Sequence, residues 1–193
     1  MRGLQAVALC LSLGACSPTE PELLWLSFGA YSSSPVVLLE FSVNEKLGMQ
    51  GLELVTGSSE GQPRGSGGAS LGYPPGEPPG SVAIAAEWVE LFTGKAWRAE
   101  MTLAAKDLIW IETSGPTMLM TPVFGPNGLF RVTSETASSA GIVQKDVARL
   151  CGMRAPEADA DFTQRADQVA QLTELLDFPY PPVIDPECPY PKD

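Results

Sequence analysis

The sequence predicts an α+β chain that is mainly antiparallel β, folded as a sandwich-like or curved sheet, with one C-terminal helix and a proline-rich tail. Three observations carry that expectation. Hydrophobicity alternates with a period of two over Ser81 to Phe92 and again over Ala96 to Leu103, as in strands with one buried face. Glycines (19) and prolines (18) supply many turns. Ala158 to Asp177 is the one stretch whose apolar residues recur clearly at helical spacing. With 193 residues, 44% of them hydrophobic, there is enough chain for one domain with a real core.

The N-terminus is read first. Met1-Arg2-Gly3 is a short basic start, and Leu4 to Leu13 is apolar except for Gln5 and Ser12. Ten residues cannot cross a bilayer as a helix, which takes about 20, but they suit the apolar region of a secretory signal. Leu13-Gly14-Ala15-Cys16 follows and resembles the lipobox of bacterial lipoproteins. The small residues let the chain lie extended in a peptidase groove, and the Cys16 thiol would take a diacylglyceryl group. The resemblance implies a signal peptide over residues 1–15 and a lipidated tether over 16–22. Ser17 in the place after the cysteine implies onward sorting, to an outer membrane facing the periplasm. Further acylation of the freed Cys16 amine would complete an anchor of several chains, as stable attachment requires.

A single β-rich domain is expected over 23–193. Leu23 to Phe28 and Val36 to Val43 read as strands separated by the turn-like stretch 29–35, and Gly51 to Thr56 as a short third. Residues 57–81 hold 8 Gly and 5 Pro in 25 positions, so a mobile exposed loop is expected there. In the next strand Val82, Ile84, Ala86, Trp88 and Phe92 share one face, with Glu90 as the exception. A turn at Thr93-Gly94 or Gly94-Lys95 leads back through Trp97, Ala99, Met101 and Leu103 on one face and Arg98, Glu100 and Thr102 on the other. Leu108 to Ile111 and Met118 to Phe124 are further apolar runs. Pro126-Asn127-Gly128 marks a tight turn into Leu129 to Ser134, and Ile142 to Leu150 fits strand or helix.

For the helix, Phe162, Ala166, Val169, Leu172 or Thr173, and Leu176 form the apolar face. Asp159 or Asp161 can cap its start, and Phe178-Pro179 ends it. The tail over 179–193 contains six prolines. Cys10 leaves with the signal and Cys16 is committed to lipid, so Cys151 and Cys188 remain. Outside the cytoplasm an even pair tends to oxidise, and a bridge between them would pin the tail to the domain.

Charge and composition exclude several functions. Lys and Arg number 12 against 23 Asp and Glu, for a formal net charge of −11; loss of Arg2 with the signal takes it to −12. Nucleic acid needs a basic footprint, so no nucleic-acid partner is expected. Electrostatic attraction to anionic lipid is excluded on the same ground, which leaves the lipid at Cys16 as the membrane contact. There is no histidine, hence no Ser-His-Asp or Cys-His catalysis and no HExxH metal site. Gly57-Ser58-Ser59-Glu60-Gly61 matches GxSxG, but a Gly/Pro loop follows where a nucleophile elbow needs a helix. Gly94-Lys95 lacks the upstream glycine of a phosphate loop. Glu157, Asp159 and Asp161 alternate like the start of a calcium loop, but Phe162 and Gln168 stand where that loop needs Gly and Glu. Glu87, Glu90 and Glu100 lie on adjacent strands and are the candidates for histidine-free carboxylate chemistry. Trp25, Trp88, Trp97 and Trp110 are expected in the core. No catalytic residue, metal or cofactor is assigned.

Two segments bear a further resemblance. Trp88-Val89-Glu90-Leu91-Phe92-Thr93-Gly94-Lys95-Ala96-Trp97-Arg98-Ala99 and Val123-Phe124-Gly125-Pro126-Asn127-Gly128 are similar to a family of bacterial lipoproteins classed as a domain of unknown function. Some of its members are immunity proteins encoded beside type VI secretion lipase effectors. The similarity spans Leu23 to Arg149; the 57–81 loop and the Cys188 tail depart from it. With the anchor it implies a non-enzymatic, lipid-anchored envelope protein that acts by binding, and the acidity points to a protein partner with a basic surface. A structural or accessory envelope lipoprotein is the alternative, and a histidine-free hydrolase comes third.

Overall fold

A computed structural model of the chain describes residues 21–56, 68–138, 141–165, 168, 169, 172, 176, 181–183 and 186–190. The expected signal, lipobox and Cys16, the GxSxG match and eight of the 20 positions of the expected helix lie outside these residues. Among them, two sheets face each other, and the expected mainly antiparallel, sandwich-like class is what is found.

The strands run β1 (Leu23–Ser27), β2 (Gly29–Ala30), β3 (Val36–Val43), β4 (Leu47–Val55), β5 (Gly68–Gly72), β6 (Ser81–Glu90), β7 (Ala96–Ala104), β8 (Ile109–Glu112), β9 (Pro116–Gly125), β10 (Leu129–Ser138), β11 (Gly141–Cys151) and β12 (Met153–Arg154). The first sheet has the order β11-β10-β9-β1-β5, with β2 and β8 also paired to β9. The second is β12-β7-β6-β3-β4 and antiparallel throughout. In the first sheet β1 and β2 run parallel to β9, and its other pairs are antiparallel.

The period-two reading of the central hairpin holds from Val82 to Trp88 and from Trp97 to Leu103. Val82, Ile84, Ala86 and Trp88 of β6 and Trp97, Ala99 and Leu103 of β7 enter the core between the sheets. There Trp88 meets Phe124 and Phe130 of the opposite sheet, at ring-centroid distances of 5.0 and 5.7 Å. The alternation in β3 breaks where a register shift falls between Leu38 and Glu40. Val36 and Leu38 point inward before it, and Phe41 and Val43 after it. One extra residue in a strand resets its facing, which explains the irregular pattern of Val36 to Val43.

A second apolar cluster lies on the far side of the second sheet, where Val37, Val89, Leu91 and Ala96 meet Ala155, Phe162, Val169 and Leu172 of the C-terminal segment. This double coverage makes Val36-Val37-Leu38 and Trp88-Val89 read as continuous buried runs.

Four expectations need correction. Gly68–Gly72 lies in the stretch expected to be a mobile loop, yet it is β5 and pairs with β1. Leu71 and Tyr73 pack on the core, and Tyr73 Oη donates to the Ser81 carbonyl at 3.0 Å while receiving Asn44 Nδ2 at 3.3 Å. These tertiary contacts outweigh the weak intrinsic preference of a Gly-rich segment. Phe92 is not on the core face, because β6 ends at Glu90 and the ring sits in the turn, 46% exposed. The third strand begins at Leu47, not Gly51, and continues through Gly51 at φ +136°. The C-terminal segment opens with two 3-10 turns, Pro156–Ala158 and Phe162–Gln164, in place of a helix begun at Ala158. Leu172 and Leu176 are helical. Phe162, Val169 and Leu172 are buried as the expected apolar face requires.

Candidate functional site

Two regions bring chemistry-bearing side chains together. The first joins the β9–β10 turn to the tail. The turn at Pro126–Gly128 forms as expected, with Asn127 at φ +57° and Gly128 at φ +76°. A Cβ at Gly128 would lie 2.3 Å from the Trp97 ring, so both the left-handed φ and the close approach require glycine. Gly128 N–H donates to Glu90 Oε1 at 2.9 Å and the Gly128 carbonyl accepts from Gly152 N–H at 2.7 Å. Asn127 Nδ2 donates to the Cys188 carbonyl at 3.2 Å.

The tail is held there covalently. Cys151, at the end of β11, and Cys188 form the expected disulfide with their Cα atoms 5.6 Å apart. Beside it Arg149 Nη1 donates to Glu187 Oε2 at 2.7 Å, and Tyr31 Oη donates to Glu187 Oε1 at 3.4 Å. Tyr31 Oη in turn accepts from Arg131 Nη1 at 2.6 Å, and Arg131 pairs with Asp146.

Glu90 is a buried acid, 4% exposed, on the inward face of β6. Besides Gly128 it accepts from Thr93 Oγ1 at 3.0 Å. Burial pushes its carboxyl above the usual carboxylate range, and the Gly128 and Thr93 hydrogen bonds offset this only in part. A raised folded-state pKa means that the folded chain binds this proton more tightly than the unfolded chain. Stability from this group is therefore present at low pH and is lost as pH rises from the ordinary carboxylate range through the raised value. Glu90→Gln keeps an acceptor for Gly128 and removes the titration. The wild type should lose stability relative to this variant on going from mildly acidic to neutral pH, read from denaturation midpoints. Parallel curves would reject the assignment.

The second region is the outward face of the second sheet. Glu40 of β3 stands opposite Glu87 of β6, and Ser42 opposite Ala85. On the other flank Glu87 faces Arg98, Ala85 faces Glu100, and Ala83 faces Thr102. Arg98 binds Glu87 at 2.6 Å and Glu157 at 3.2 Å. Near the β3–β4 turn a shallow groove of about 540 Å³ has the small side chains of Ala83, Ala85 and Ser42 as its floor, with Glu45, Glu100 and Thr102 around it. At the opposite end the face is covered by the C-terminal segment. Ala96 N–H donates to Asp159 Oδ1 at 2.7 Å, and Arg154 Nη2 binds Asp159 Oδ2 at 2.8 Å. The Arg154 hydrogen bonds hold the Asp159 carboxyl below its ordinary value.

The three candidate carboxylates do not converge. Glu90 points between the sheets, whereas Glu87 and Glu100 point outward, and Glu87 is committed to Arg98. The residues of the calcium-like alternation have separate duties. Glu157 pairs with Arg98, Asp159 with Arg154, and Asp161 caps the turn at Phe162–Gln164 by accepting from Thr163 N–H. Among the described residues no group of three potential metal ligands comes together. Among them, too, no helix is long and apolar enough to cross a membrane.

The tryptophans divide. Trp88 and Trp97 are core, and Trp110 is half-buried with its indole N–H on the Ala105 carbonyl. Trp25 corrects the expectation for all four: it is 43% exposed and lies over Gly68. The small-residue floor was missed in the sequence, although Ala83 and Ala85 occupy the polar face of β6 where larger polar side chains are usual. No protein-family model, curated protein or solved structure matches the chain.

Proposed function

We propose that the chain is a lipid-anchored cell-envelope protein that acts by binding a protein partner, and that it serves as an immunity protein against a secreted toxin. The observation that carries this reading is Leu13-Gly14-Ala15-Cys16 placed directly after a short basic start and a ten-residue apolar run. The Cys151–Cys188 bridge supports an oxidising compartment outside the cytoplasm. The net charge of −11 supports a basic partner, because an acidic surface steers such a partner and speeds association. Anchored at Cys16 to a membrane that faces the periplasm, the domain would meet a toxin before it reaches its target.

Mass spectrometry of the mature chain should find Cys16 as the N-terminal residue, carrying acyl chains. An unmodified Cys16, or cleavage elsewhere, would overturn the anchor, and Cys16→Ser should release the chain from the membrane fraction. Cells lacking the protein should become sensitive to neighbouring toxin-bearing strains. Full resistance would exclude the immunity role and leave the accessory envelope role.

A further inference from the structure

We propose that the uncovered end of the outward face of the second sheet, floored by Ala83 and Ala85, is the docking surface for a lysine- or arginine-bearing segment of a protein partner. The proposal rests on the binding function given above and names the surface that performs it.

The second sheet is treated differently at its two ends. Around Val37, Val89 and Leu91 the outward side chains are bulky and apolar, and the C-terminal segment covers them. Further along β6 the outward side chains shrink to Ala83 and Ala85, which are half-buried, lie outside the covered apolar cluster and line an open groove. Central strands with one solvated face normally carry polar side chains there. Alanines flanked by Ser42 and Thr102 leave a trough that admits the backbone or side chains of another chain.

The charges select the occupant. Glu45 and Glu100 line the trough and Glu40 stands beside it, all three exposed. None of the three has a hydrogen-bond or ion-pair partner among the described residues. Glu40 also lies directly across from Glu87, a like-charge arrangement that disfavours the sheet. Arg98 answers only the Glu87 side of that pair and is shared with Glu157. A cationic segment laid in the trough would relieve this repulsion. A phosphate-bearing ligand or an anionic lipid surface would add to it. A second copy of the chain brings the same net negative charge, −11 in formal terms. No metal-ligand cluster among the described residues offers a free cation an alternative site.

The test uses the anchored protein in its own cells, with the photo-crosslinker p-benzoylphenylalanine placed at Thr102, at Trp25 or at Leu52. Each of the three is exposed in the wild type; Trp25 lies on the other sheet, Leu52 on the edge strand β4, and neither lines the trough. Crosslinking from position 102 should give one discrete adduct whose attached peptide is rich in lysine and arginine. The pair Glu45→Lys and Glu100→Lys should lower its yield about tenfold or more, since like charges across an interface cost several kcal/mol. Glu45→Gln with Glu100→Gln should give a smaller loss. An unchanged denaturation midpoint checks the fold of each variant, and Ala85→Trp, which fills the floor without changing charge, should also abolish the adduct. An adduct from position 25 or 52 but not 102 would overturn this surface while leaving the binding function standing. No adduct from any position would overturn both. An adduct at 102 that joins two copies of the chain, carries an acidic peptide or ignores charge reversal would overturn the proposal.

Discussion

Trp88→Ala is expected to cost about 3–5 kcal/mol of unfolding free energy, the usual range for emptying a fully buried large aromatic site. Trp88 has no exposed surface and sits where the sheets meet, against Phe124 and Phe130. Those two rings are themselves 5.5 Å apart, so the cavity opens inside a three-ring cluster that cannot collapse without moving a sheet. The indole N–H of Trp88 has no hydrogen-bond partner among the described residues, so truncation strands no acceptor there and the loss is one of packing. Trp25→Ala is the control: its ring is 43% exposed, and removing it should cost well below the Trp88 value. Urea unfolding of the two variants checks the contrast, and equal losses would show that the core is not centred on Trp88.

Cys188→Ser should be the next largest loss, about 3–4 kcal/mol in the chain-entropy account of a loop closed across 37 positions. The native contacts of Cys188 do not set this value; the bridge acts mainly by limiting the unfolded chain. The variant keeps the Cys188 carbonyl as acceptor for Asn127 Nδ2 and the Arg149–Glu187 pair. The tail should therefore remain docked but exchange amide hydrogens faster around residues 186–190, while the β6–β7 hairpin is unchanged. Reduction of the wild type should reproduce the loss. A variant as stable as the oxidised protein would show that the tail is held by Glu187 and Asn127 alone.

How much was legible in the sequence depended on the range of the forces involved. The β6–β7 hairpin could be read because its core face repeats every second residue. The Pro126-Asn127-Gly128 turn could be read because backbone sterics alone demand its residue types. Ile142 to Leu150 could not be placed, since a short apolar run fits either helix or strand; pairing of Gly141–Cys151 with β10 decides it. β5 was missed because Gly68–Gly72 has little strand preference of its own and pairs only because β1 offers it an edge. Glu90 stood out as an exception on an apolar face, but its explanation is the Gly128 N–H, 38 positions away. Of the proposed docking surface only Glu100 stood out in the sequence; Glu40, Glu45 and the trough did not.

By itself the sequence determined the mainly β class, the turns, the pairing of Cys151 with Cys188 and the chemistry excluded by the missing histidines. Each follows from local sterics, from periodicity or from which atoms are present. Only the tertiary structure decided which face of each strand is covered. It set Glu90 inward and Glu87 and Glu100 outward. It drew the C-terminal segment over Val37 and Val89 and left Ala83 and Ala85 beneath an open groove. Burial is a property of the packed whole: a residue's exposure depends on which distant segment lies across it, and nothing in its own neighbourhood of the chain records that.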